Sequence, residues 1–292
     1  MRKTVAGLVC FFMIICCILS LLSCEENEGK KENTNETHSN NEISKDDEKS
    51  KEIASTGLLL ELDEDNPYYI VSGIGKCTDS TVIIPAEYDG LPVKEIGSRA
   101  FQNCTSFTEM VLPDSIIRIQ SKAFYNCDSL RKITLSDTLQ TIGSDAFVGT
   151  ALKTIDLPES LSEISQGAFM GCRELEKVKI PVNIKYIQNS CFSCCESLSS
   201  VTLPEGLLTI ESGAFNDCFS LTELVLPDSL QKLNGLYGTS LRSIVIPKNV
   251  TVVHSRTFTD CNDLMTIYNY SGKSLSHLKE NLNSSCVILN MN

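Results

Sequence analysis

Hydrophobic and polar positions along this chain repeat one pattern. In residues 157–180, Leu-Pro-Glu-Ser-Leu-Ser-Glu-Ile-Ser-Gln-Gly-Ala-Phe-Met-Gly-Cys-Arg-Glu-Leu-Glu-Lys-Val-Lys-Ile, apolar side chains hold fixed places and polar ones fill the rest. The Phe recurs at Phe101, Phe124, Phe147, Phe169, Phe192 and Phe215, in steps of 22 or 23 residues. Tyr237 stands next in the expected slot, and Phe258 holds it once more. Self-similarity at such a period is the signature of a solenoid.

Each unit reads as a sequence of short elements. Val178 and Ile180 alternate with Lys177 and Lys179, the period-2 pattern of a half-buried strand. Pro181 and its equivalents Pro113, Pro158, Pro204, Pro227 and Pro247 close that strand, because proline has no N–H for the ladder. Ile184 and Ile187 form a second inward pair on another extended segment. The Ala-Phe pair is expected in a tight helical turn, after which the chain returns through a Cys to the next Leu. One such unit cannot bury its own apolar side; stacked neighbours can. The reading is a leucine-rich-repeat solenoid, a right-handed superhelix of mainly short β-strands with tight helical turns, in about eight turns of ~23 residues.

The pattern Leu-Pro-x-Ser-Leu-x-x-Ile-x-x-x-Ala-Phe-x-x-Cys-x-x-Leu-x-x-Ile-x-Leu resembles the BspA-like, Treponema-type leucine-rich repeat, from about Val82 to Asn269. The resemblance implies a surface-exposed lipoprotein associated with adhesion to host or bacterial partners. No residue motif encodes that activity.

The segments outside the repeats suggest where the protein resides. Arg2 and Lys3 precede an uncharged apolar run that ends in Leu21-Leu22-Ser23-Cys24. Charge, apolar core and a small residue before the cut are the layout of a secretory signal, read as residues 1–23. The ending resembles the bacterial lipobox, which implies lipidation of Cys24; a retained membrane anchor is the competing reading. Residues 24–56 are polar and acidic and read as a disordered tether. Glu25, Glu26 and Glu28 resemble a surface-export signal, or are an ordinary solvated linker.

Residues 57–96 are expected to form an N-terminal cap with the first strands, with a hairpin at Asp89-Gly90. Residues 97–271 carry the regular turns. The unit from Leu226 to Ile246 is three residues short, with Leu236-Tyr237 standing for Ala-Phe and no Cys. Its strand positions survive, so the shortening belongs to the tight-turn side. Residues 272–292 read as a C-terminal cap, with a helix over 274–282 and a strand at Cys286 to Leu289.

Composition narrows the function classes. A net charge of −12 argues against nucleic acid, whose phosphates need clustered Lys and Arg. Of the fourteen Cys, Cys104, Cys127, Cys172, Cys195, Cys218 and Cys261 share one repeat slot and read as buried free thiols; disulfides between turns are the alternative. Cys191 and Cys194 form a C-x-x-C without the second pair that zinc needs, and Cys194 reads as an exposed thiol. His38, His254 and His277 are the only histidines, and none has a nucleophile and orienting group in register. The chain is therefore read as a non-enzyme without cofactor or metal.

Two outward rows follow from the strand alternation. One ends in Val225, Val245 and Tyr268, an apolar cluster that marks a candidate partner-binding surface. Val and Tyr are also good strand formers, and the 274–282 segment is placed to fold over them. The function expected is a surface-anchored interaction or adhesion module for a protein or other macromolecule. The alternatives are a structural envelope lipoprotein and an accessory subunit of an enzyme system.

Overall fold

The computed structural model describes residues 54–291. Cys24 and the residues read as signal lie outside them, as does most of the stretch read as a tether.

Two ladders of short strands run along the solenoid. The first, called here the face ladder, is parallel and comes in three pieces. Thr81–Ile83, Glu109–Val111 and Lys132–Thr134 form one; Lys177–Lys179 and Ser200–Thr202 the next; Ser243–Ile246, Thr266–Asn269 and Val287–Asn290 the last. The second ladder starts with the antiparallel pair Leu59–Leu62 and Tyr69–Gly73, then continues parallel through Leu91–Ile96, Arg118–Ile119, Thr141–Ile142 and Glu163–Ile164. It resumes with Tyr186–Ile187, Thr209–Ile210, Lys232–Leu233 and Val252–Val253. Strand centres are apolar, so both ladders turn one residue in two toward a common core. Val178, Ile180, Ile184 and Ile187 are all buried there.

The face ladder has ten inward positions, Val82, Met110, Ile133, Ile155, Val178, Val201, Leu224, Ile244, Ile267 and Ile288. The solenoid thus has about ten turns, not about eight. The Phe of the repeat marks only the inner turns; the outermost strands belong to turns that lack it.

The Ala-Phe segment is not helical. In one unit the amides of Ala168, Met170 and Cys172 donate to the carbonyls of Ser165, Gly167 and Phe169, closing three overlapping tight turns. The third residues of the first and last, Gly167 and Gly171, have φ of 63° and 70°. A type II turn requires that left-handed residue, and a helix cannot contain it. The amide of Phe169 donates across to the Cys191 carbonyl of the next turn at 2.8 Å. The backbone at this corner is therefore stitched partly to itself and partly to its neighbour. Glycine, asparagine and aspartate recur at these places because they tolerate the left-handed region best.

The six Phe rings from Phe101 to Phe215 stack face to face, centroids 5.1 to 5.5 Å apart and planes within 10°. Each is fully buried. The next position in this column is Leu236, not Tyr237. The Phe215 amide donates to the Gly235 carbonyl, just as the Phe192 amide donates to that of Ala214. That bond places Gly235 in the Ala slot and Leu236, fully buried, in the Phe slot. Tyr237 lies outside, its hydroxyl donating to Asp260. The unit loses residues on both sides of the tight turn. Leu233 and Leu236 are three apart where Ile210 and Phe215 are five, and Thr239 and Leu241 are two apart where Cys218 and Leu221 are three. The shortening does fall on the tight-turn side.

At the N-terminal end, Asp89 and Gly90, both at positive φ, close the hairpin between Glu87–Tyr88 and Leu91–Ile96. Glu95 is buried beside it. Its carboxylate accepts from Tyr68 Oη at 2.9 Å, Arg118 Nη1 at 3.0 Å and Gln120 Nε2 at 2.7 Å. Burial first, and then Glu95, pushes the Tyr68 phenol up to about 12. At the other end the expected helix is a 3-10 helix, Ser276–Asn281, with Leu275 and Leu278 buried. The last strand, Val287–Asn290, pairs in register with Thr266–Asn269.

Candidate interaction face

The outward residues of the face ladder change in character along the solenoid. In the first two pieces they include charged side chains in ion pairs, Lys132 with Glu109 of the neighbouring strand and Lys179 with Glu159 just beyond the ladder, 3.6 and 2.7 Å apart. In the last piece the outward residues are Ser243, Val245, Thr266, Tyr268, Val287 and Leu289, and none is charged.

Among the three residues expected to form a patch, the ladder register joins two. Val245 pairs with Tyr268, and Tyr268 with Leu289. Val245 is 48% and Leu289 42% exposed. Val225 is the most exposed large apolar side chain among the described residues, at 84%, yet it lies in a stretch with no ladder strand. Both interruptions of the face ladder adjoin a corner with the sequence Gly-Thr-x-Leu, at 149–152 and 238–241, one residue shorter than the Cys-containing corners. The continuous apolar row is Val245–Tyr268–Leu289, and Val287 lies two residues from Leu289 on the same side of its strand. Leu289 and Val287 lie beyond the last repeat, so the repeat pattern does not mark them as surface. Their alternation around the partly buried Ile288 is the signal that identifies them.

The thiol column is a structural feature. Cys127, Cys172, Cys195 and Cys218 donate Sγ–H to the carbonyl of the Phe one turn earlier, at 2.8 to 3.2 Å. In the two shortened corners Thr150 and Thr239 take the slot, each bonding back within its own turn. None of the ten cysteines of the described residues is in a disulfide. Burial pushes the Cys172 thiol up to about 11 and the Cys195 thiol well above the usual thiol range. Cys191 is buried in the Ala slot, and Cys194 is half-buried at the left-handed corner position, φ 58°. No group of three or more His, Cys, Asp or Glu able to hold a metal occurs among the described residues. His254 is exposed, and His277 Nε2 lies 2.8 Å from the Val253 carbonyl. No helix among the described residues is long and apolar enough to cross a membrane.

Solved structures of bacterial leucine-rich repeat proteins share this fold. A leucine-rich repeat protein from Bacteroides ovatus is 25% identical, with TM-score 0.54, over 75% of this chain and 71% of that one. A leucine-rich cell surface protein from Faecalibacterium prausnitzii is 30% identical, with TM-score 0.56, over 75% of this chain. The present chain spans only 55% of that protein's length. No curated protein sequence matches. The repeat is one of protein-interaction and surface modules, typically surface-associated, and no catalytic family is indicated. Six copies of it are matched over residues 94–218 and 187–292, and the chain belongs to the BspA type leucine-rich repeat family.

Proposed function

We propose that the chain is a surface-anchored, non-catalytic module that binds another macromolecule through the C-terminal part of its face ladder. The observation that carries the reading is the row Val245–Tyr268–Leu289: uncharged, solvent-facing and held rigid by in-register strands. Exposed apolar clusters containing Tyr are what binding surfaces use, since a rigid aromatic loses little entropy on contact. The resemblance of Leu21-Leu22-Ser23-Cys24 to a lipobox supports anchoring through Cys24. The F. prausnitzii structure, described as a cell surface protein, supports an extracytoplasmic location. The acidic balance disfavours nucleic acid as the partner.

The test is a pull-down from host extracellular-matrix and bacterial-surface extracts, with the Val245→Ser/Tyr268→Ala double variant beside the wild type. A partner held by the wild type and lost by the variant is the expected result. If every captured partner binds both equally, the row is not the site. A structural envelope lipoprotein is the second reading, and whole-cell protease shaving separates it: a surface module is cleaved from intact cells, whereas a protein inside the envelope survives.

A further inference from the structure

The strand Val287–Asn290 forms the outer edge of the face ladder among the described residues. Its Val287 amide donates to the Met265 carbonyl, and the Met291 amide to that of Asn269, both at 2.9 Å. Alternation then sends the N–H and C=O of Ile288 and Asn290 away from the neighbouring strand. Natural edges of this kind are guarded by charge, proline or a bulge, since unpaired backbone is a template for another strand. The edge strand of the second ladder, Leu59–Leu62, contains Glu61 and runs into Asp63 and Glu64. Val287-Ile288-Leu289-Asn290-Met291 contains no charge and no proline. Its outward side chains Val287, Leu289 and Met291 are 52%, 42% and 37% exposed.

We propose that this edge pairs antiparallel with the same strand of a second copy of the chain, about a two-fold axis through Leu289. The occupant follows from self-complementarity. Ile288 and Asn290 are the two residues whose backbone faces outward, and an antiparallel two-fold sets Ile288 of each copy opposite Asn290 of the other. Each pair exchanges two N–H···O bonds, four in all. Leu289 then faces Leu289 in the non-hydrogen-bonded position, where side chains come closest. The rows Val245–Tyr268–Leu289 of the two copies become one strip across six strands. An isologous contact of this kind closes after two subunits and does not propagate. The strip itself is uncharged, so the repulsion opposing it is the diffuse repulsion of two acidic chains, which salt screens. Pairing is therefore expected to strengthen with salt.

The pairing is independent of partner binding and is tested separately. Sedimentation equilibrium of the full chain is expected to show a monomer–dimer equilibrium that shifts toward dimer from low to moderate salt. Leu289→Asp, which sets two carboxylates opposite each other at an exposed position, is expected to weaken it roughly tenfold or more. Leu289→Cys, oxidised with copper–phenanthroline, should yield a reducible dimer, because the paired Cα atoms would lie about 4.5 Å apart, within disulfide range. Val225→Cys, more exposed but away from the edge, should yield none beyond the wild-type background. A wild type that stays monomeric across concentration and salt overturns the proposal. So does a Leu289→Asp variant that dimerises as the wild type does. If the wild type is monomeric and only Leu289→Asp loses a captured protein partner, the edge serves that partner instead.

Discussion

Phe169 and Phe192 lie parallel on successive turns, ring centroids 5.3 Å apart and planes 4° from coplanar. Neither ring touches solvent. Phe169→Ala should cost about 3 to 5 kcal/mol, the usual penalty for deleting a buried aromatic. Because each turn is stabilised by its neighbours, part of the damage should spread to adjacent turns. Lys179→Ala should leave the urea melt almost unchanged, since the ion pair to Glu159 is largely exposed. Equal destabilisation by the two substitutions would contradict the facing of the strand.

Gly235 is the tightest backbone position of the shortened unit. Its φ is +75°, and an added Cβ would stand 2.4 Å from both the Ala214 nitrogen and the Glu211 oxygen. Gly235→Ala should therefore be severely destabilising, or prevent folding of that turn. Gly90, at φ +76°, has nothing within 4 Å of the added atom, so Gly90→Ala should cost only the left-handed strain, about 1 to 2 kcal/mol. Thermal melts of the two variants test the difference.

Leu236 and Tyr237 exchange the roles their spelling suggests. Leu236→Ala should cost about 2 to 5 kcal/mol as a core deletion. Tyr237→Phe removes one partly exposed hydrogen bond to Asp260 and should cost about 1 kcal/mol or less. If Tyr237→Phe is the more damaging, the column runs through Tyr237 after all.

The ladder thiols should be nearly inert in the folded protein. At pH 8 iodoacetamide reacts with thiolate, and burial holds Cys172 up at about 11 and Cys195 well above the usual thiol range. Mass spectrometry after brief labelling should find the half-buried Cys194 modified ahead of Cys172, Cys195 and Cys218, and every site modified once urea is added. Rapid native labelling of Cys172 would contradict the buried column.

Cys24→Ala should abolish lipid attachment and signal processing. The measurement is intact mass of the protein from its native membrane. Retention of unmodified residues 1–24 in the wild type would refute the lipobox reading.

The period of Phe and Leu was enough to give the repeat, the strands and the buried column, because each of those depends on one residue type returning at one spacing. The hairpin at Asp89-Gly90 was legible for the same local reason: those two residues accept positive φ. The corner was less legible. Ala-Phe-x-x-Cys reads as a helical turn, yet Gly167 and Gly171 sit in the left-handed region, and the Phe169 amide is claimed by the next turn rather than by its own. That choice is made by a neighbour 22 residues away, which no local propensity reports.

The chain's own spelling determined that this is a stacked-repeat protein and which side chains of the regular turns face inward. Only the tertiary structure decided that Leu236 displaces Tyr237 from the column, that Glu95 is buried among Tyr68, Arg118 and Gln120, and that Val225 stands apart from Val245 and Tyr268 while Leu289 joins them. The physical reason is register. A period assigns each residue a place within its own turn, but which places meet across turns depends on how many residues each corner consumes, and that is settled by backbone hydrogen bonds between turns.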